Sequence, residues 1–135
     1  MNPQLQTQVL EIMGAPQREP LDTFIREGVP LIALEYLAQR GVSAVAVGVL
    51  TSRTLHRRRV KREQLSRAEG DRLYRVSMIL LRSEQVFGHP DKARRWLSTA
   101  HRFLDGMTAW EAVATTPGYV AVLDNLERIH QGYFA

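Results

Sequence analysis

Six cations and no acid occupy one short stretch of this 135-residue sequence, SRTLHRRRVKR at residues 52 to 62. Guanidinium and ammonium groups gathered this densely suit a polyanion, because each phosphate they neutralise releases a condensed counterion, and an arginine fork can also bond a guanine edge at two atoms. Nine of the eighteen Lys and Arg residues lie between Thr51 and Arg75 against Glu63, Glu69 and Asp71, so this stretch carries +6; the other nine cations face eleven acids, leaving −2. The formal net charge of +4 is therefore local in origin. Such a run also has plainer uses, as a solvated helix face or as a contact with acidic protein or RNA.

Catalytic constellations are missing from the sequence. His56, His89, His101 and His130 make no pair at metal-ligand spacing with a carboxylate, no glycine-rich loop ends in Lys followed by Ser or Thr, and there is no nucleophile elbow. The sequence has no cysteine, which excludes disulfides, thiolate metal sites and a Cys nucleophile. The expectation is a protein that is not an enzyme, with no metal and no cofactor. His101 and His130 read as surface or core-edge residues, and Trp96, Phe103, Leu104 and Trp110 as core of a helical domain.

The elements that carry these residues read as helices throughout. Apolar residues recur at three and four, and no β-branched run alternates between hairpin turns, so the fold class expected is all-α. Helices are predicted over Leu5 to Met13, Leu21 to Glu27, Leu31 to Arg40, Ser43 to Leu50 and Ser52 to Val60. VSAVAVGVL, residues 42 to 50, has the composition of a buried strand, but it lacks a partner strand, and Gly41 and Ser43 ahead of it favour a short buried helix. SRAE, Ser66 to Glu69, is a capping box that opens a long helix to about Phe87. GHPD ends it. A helix from Asp91 to Leu97 follows, TAWE at Thr108 to Glu111 repeats the capping box, and Thr116 with Pro117 opens a last helix to about Gln131, closed by Gly132.

The basic segment falls on the third helix of a tri-helical pattern, in the order and lengths of a helix-turn-helix unit. With Leu55 packed inward, a turn of about 100° per residue puts His56 at about 100°, Arg53 at about 160°, Arg57 at about 200° and Thr54 at about 260° from it. Those four are expected to face outward. Arg58 and Arg59 fall nearer the buried edge, from which long side chains can snorkel to flanking phosphates, while Lys61 and Arg62 continue past the helix end. The predicted DNA-binding set is Ser52, Arg53, Thr54, His56, Arg57, Arg58, Arg59, Lys61 and Arg62, and the partner is operator double-stranded DNA. One such unit reads few base pairs, so a homodimer on a two-fold site is the form expected on DNA.

Three segments emerge: residues 1 to 20 with one short helix, a helix-turn-helix module over 21 to 64, and a helical domain over 65 to 135. At 44% hydrophobic and 24% charged residues the chain can bury a real core. Its first twenty residues lack a basic leader region and an apolar core region, and no later run approaches the about 20 apolar residues of a membrane span, so a cytoplasmic protein without membrane contact is expected.

The order of elements in the second half resembles the toxin-binding region of Xre/MbcA/ParS-type antitoxins, the partners of RES-domain toxins. The likeness rests on Leu65, Ser66, Arg72, Val86, Phe87, Gly88, Ala93, Trp96, Leu97, Leu104, Gly106 and Thr108, then on Thr116, Gly118, Val122, Leu126, Ile129 and Gly132. It spans about residues 65 to 134, and SRTLHRRR upstream is similar to the family's recognition-helix segment. Asp105 and Ala109 stand where the family often has a glycine and a proline.

The resemblance implies an antitoxin encoded beside its toxin. Its N-terminal helices would bind the operator and repress the operon, and its C-terminal domain would hold inactive a RES toxin, similar in outline to ADP-ribosyl-transferring folds, that depletes NAD. In that family the antitoxin's C-terminal end closes the toxin's active-site entrance, in hetero-oligomers with the toxin. Trp96, Arg128, Gly132, Tyr133, Phe134 and Ala135 are the toxin contacts this implies, with Tyr133 and Phe134 as aromatic anchors. A second class stays open, a stand-alone helix-turn-helix regulator whose C-terminal domain only dimerises.

Overall fold

Propensity and capping decide most of the architecture. The computed structural model describes residues 3–15 and 20–132, and among these the chain is all-helical, with no strand. Its helices are α1 (Pro3–Ile12), α2 (Leu21–Glu27), α3 (Ile32–Gln39), α4 (Ser52–Lys61), α5 (Arg67–Phe87), α6 (Pro90–Ser98), α7 (Ala109–Ala112) and α8 (Thr116–His130), with a 3₁₀ turn at Arg102–Leu104. The chain divides into two compact units, Met1–Ser77 and Met78–Ala135. The division falls inside α5, whereas the boundary expected at 64/65 falls just ahead of it.

In the first unit α1 presents Leu5, Val9 and Ile12 at helical spacing, and it packs on α3, whose Ala33, Leu34 and Leu37 are buried. Phe24 of α2, Val29, Leu65, Leu73 and Val76 complete this core. The helix expected over Ser43 to Leu50 does not form. Ser43 does cap a single turn, accepting from the Ala46 amide at 3.3 Å, and the Val47 amide donates to the Ser43 carbonyl at 3.1 Å. Gly48 then takes φ 84°, outside the helical region, and the chain leaves the turn with Val49 and Leu50 buried. A run of β-branched valines with a glycine among them sustains one capped turn and no propagation.

In the second unit α6 packs on α7, α7 on α8, and α8 on the 3₁₀ turn. Ala93, Leu97, Leu104, Ala109, Ala112, Val122 and Leu126 are buried there. The Thr108 capping box forms as expected: its hydroxyl accepts from the Glu111 amide at 3.2 Å, and the Glu111 carboxylate accepts from the Thr108 amide at 3.1 Å. One cap is displaced by a residue, because Thr115 rather than Thr116 closes the start of α8, accepting from the Gly118 amide at 3.2 Å. Asp105, in the place of the family's glycine, sits at φ 55° and ψ 34°, a left-handed conformation that aspartate tolerates better than most side chains. Replacing Asp105 by glycine should therefore raise the stability of this unit by about 0.5 to 1 kcal/mol. Both tryptophans, Trp96 and Trp110, lie in this unit. Their fluorescence during denaturant unfolding is the check.

Candidate nucleic-acid interface and partner-binding face

Helix α4 is built to display cations and to bury little. Thr51 caps it, its hydroxyl accepting from the Thr54 amide at 3.1 Å and donating to the Thr54 hydroxyl at 3.0 Å. Arg58, Arg59 and Lys61 fall in the last turn, where cations complement the helix dipole. Arg62 ends it in a left-handed conformation at φ 56°. No residue of α4 is buried.

The face that turns inward runs along Thr54, Leu55 and Arg58, all half-buried. This rotates the helix from the expected setting. Thr54, expected outward, is half-buried with its hydroxyl held by the cap, and Arg59, expected at the buried edge, is exposed. Leu55 is only half-buried on this face, and the Arg58 beside it is held by a polar contact. Ser52, Arg53, His56, Arg57, Lys61 and Arg62 are exposed. Arg57 lies 3.8 Å from Glu63 with its side chain 53% exposed, while Arg53, Arg59, Lys61 and Arg62 pair with no acid among the described residues.

Arg58 is bound elsewhere. Its Nε and Nη2 donate to the two Glu69 carboxylate oxygens at 2.7 and 3.1 Å, and the side chains are only 12% and 9% exposed. The same Glu69 Oε1 accepts from the Ser66 amide at 2.9 Å, and the Ser66 hydroxyl accepts from the Glu69 amide at 3.2 Å, so the capping box of α5 also carries the ion pair. Burial pushes the Glu69 carboxyl up, yet the bonds from Arg58 and Ser66 outweigh it and hold the group below its ordinary value. A carboxyl lowered on folding contributes stability that is complete above its unfolded value and is lost as pH falls through the folded one. The denaturant midpoint of the first unit, followed by circular dichroism, should fall between about pH 6 and pH 3 more steeply in the wild type than in Glu69→Gln.

Within the second unit, Phe87, Trp96, His101 and Phe103 form a row of rings. Ring centroids are 5.7 Å apart for Phe87 and Trp96, 4.5 Å for Trp96 and His101, and 5.3 Å for His101 and Phe103. The His101 Nε2 donates to the Trp96 carbonyl at 2.8 Å, which fixes the imidazole against the indole. Leu104 is buried as expected, but Phe103 is 42% exposed and Trp96 and Trp110 are half-buried, so the row is a face and only partly core. Arg82 of α5 donates to Glu127 of α8, and bonds from Arg82 and Gln131 hold that carboxyl below its ordinary value. Arg128 is exposed, and Gly132 turns at φ 84°. Tyr133, Phe134 and Ala135 lie outside the described residues.

Among the described residues no cluster of three or more acidic, His or Cys side chains is placed to hold a metal ion, and no helix is long and apolar enough to cross a membrane. The double role of Glu69 was missed by sequence reasoning, which assigned it to the capping box alone. Its one sequence signal is an acid eleven residues beyond Arg58 at the start of the longest helix.

Residues 82–132 match the family model described as the antitoxin Xre/MbcA/ParS C-terminal toxin-binding domain. The end of α5 and everything through α8 thus belong to the class of helical domains with which antitoxins hold their toxins. Antitoxin Xre of Pseudomonas putida is 33% identical over 115 residues, which cover 84% of this chain and 72% of that protein. The chain belongs to the Xre antitoxin family, and a toxin is its partner. This sets aside the stand-alone regulator.

Proposed function

We propose that this antitoxin neutralises a RES-domain, NAD-depleting toxin through its second unit and the tail that follows it, and that it represses its own operon by gripping operator DNA with α4 as a homodimer. The observation that carries the DNA half is the display on one uncovered helix of Arg53, Arg57, Arg59 and Lys61, with His56 between them. α3, the capped turn after it and α4 serve as a shortened helix-turn-helix. Ser52 and Arg62 flank the contact, and Arg58 is withdrawn from it by Glu69.

For the toxin half, α8 ends at His130, Gly132 two residues on takes a left-handed φ of 84°, and the next residues in the sequence are Tyr133, Phe134 and Ala135. Two aromatics following a glycine are suited to insert in a pocket, with Arg128 one helical turn earlier and Trp96 on the ring face as further contacts. Support for a RES toxin comes from the residue pattern over 65 to 134 that resembles the partners of such toxins. Co-expression with the adjacent RES reading frame should restore growth and cellular NAD, whereas a chain lacking residues 132 to 135 should fail to restore either while still shifting the promoter fragment. Full neutralisation by the shortened chain would remove the tail from the mechanism. A neighbouring toxin of another fold would remove the RES assignment.

A further inference from the structure

A helix that buries none of its residues needs something other than apolar packing to set its orientation. Two side chains of α5, one turn apart, reach the segment that carries the cations. Glu69 receives the Arg58 fork from α4, and Arg72 donates from Nη1 to the Val49 carbonyl at 3.2 Å, just ahead of the Thr51 cap. α5 is a firm base for both, being the longest helix of the chain, with Leu73 and Val76 wholly buried beside these handles. We infer that Glu69 is a positioning residue for DNA recognition, holding α4 in its reading orientation through the two-point fork from the nearly buried Arg58 without touching nucleic acid. The inference rests on the proposed DNA role of α4.

Geometry explains why Arg58 is spent this way. A bidentate guanidinium–carboxylate pair fixes rotation about the helix axis as well as distance, which a single ammonium contact cannot do. Arg58 Nη1 lies 3.8 Å from Glu63, so the remaining edge of the guanidinium also faces an acid rather than an open phosphate site. Charge on α4 is left to the exposed arginines, and orientation to the buried one.

The discriminating variant is Glu69→Gln in the full-length chain. Glutamine still completes a capping box, so α5 keeps its start while the ionic fork is lost. Affinity for the fragment upstream of the chain's own reading frame should fall about tenfold, the effect of losing one charge-assisted bond. Affinity for a scrambled duplex of equal length, and the slope of log affinity against log salt, should stay as in the wild type, because no phosphate contact is removed. Arg58→Lys should behave alike. Equal binding by Glu69→Gln and wild type would overturn the inference, as would a salt slope shallower by about one in Arg58→Gln, which would make Arg58 a phosphate contact. Amide exchange in the free protein separates the two layers of argument. Faster exchange confined to α4 in Glu69→Gln supports the clasp even if the wild type proves not to bind DNA, a result that would overturn only the DNA role; unchanged exchange overturns the clasp.

Discussion

Gly118→Ala is expected to unfold the second unit or lower its stability by about 3 kcal/mol or more, at the upper end of what overpacking costs. A Cβ at position 118 would lie 1.8 Å from the Ala112 carbonyl oxygen and 2.8 Å from its carbon, with the Thr115 hydroxyl at 3.2 Å. These are backbone atoms at the end of α7, so no side chain can swing aside. The need for glycine here is one of space. Relief requires α8 to move away from α7, which would open the contacts among Ala109, Ala112, Val113, Val122 and Leu126 and strain the Thr115 cap on the Gly118 amide. Domains are stable by only about 5 to 15 kcal/mol, so a loss of this size changes the folded fraction under stress many-fold. Fluorescence of Trp96 and Trp110 reports this unit alone, and its denaturant midpoint should drop sharply. Neutralisation of the toxin should fail in the same variant, while the DNA binding proposed for α4, which lies in the other unit, should persist. A midpoint unchanged from the wild type would show that the α7–α8 crossing yields more easily than close-packed backbone does elsewhere.

Punctuation was the most legible part of the fold. Local hydrogen bonds between residues three apart write the Ser66 and Thr108 capping boxes, and the α5 that follows Ser66 starts and ends where its caps and Gly88 put it. Where two such signals stood side by side, as at Thr115 and Thr116, the choice depended on whether the Gly118 amide met one hydroxyl or the other, and spacing alone did not separate them. Residues 43 to 50 show the opposite case. Their apolar content correctly marks burial, but burial in a capped turn and burial in a helix leave the same composition, and only the left-handed Gly48 distinguishes them. At the candidate interface the exposed set Arg53, His56 and Arg57 was legible because a strongly cationic helix cannot bury most of its perimeter. Its rotation was not, because the half-buried Arg58 meets Glu69 across a sequence gap that no periodicity encodes.

Alanine at Arg53, Arg57 and Arg59 together should produce the largest loss in the proposed DNA binding of the first unit. All three are exposed on α4, two carry no ion pair among the described residues, and Arg57 has only Glu63 at 3.8 Å to oppose its release to DNA. If each neutralises one phosphate, the slope of log affinity against log salt should become shallower by about three, since each contact releases about 0.9 of a counterion. A guanidinium paired with a guanine would add about 1 to 3 kcal/mol of discrimination on the operator over other sequences. Gel-shift titrations on operator and scrambled duplexes at several salt concentrations separate these contributions: equal loss on both duplexes assigns the arginines to phosphates, and loss confined to the operator assigns them to bases. Helix content should change little, because alanine favours helix and none of the three side chains contributes to the core. A triple variant that binds as tightly as the wild type, with the same salt slope, would leave α4 a solvated face. Retention of toxin neutralisation throughout is expected, because the matched toxin-binding segment begins at residue 82 and contains none of these positions.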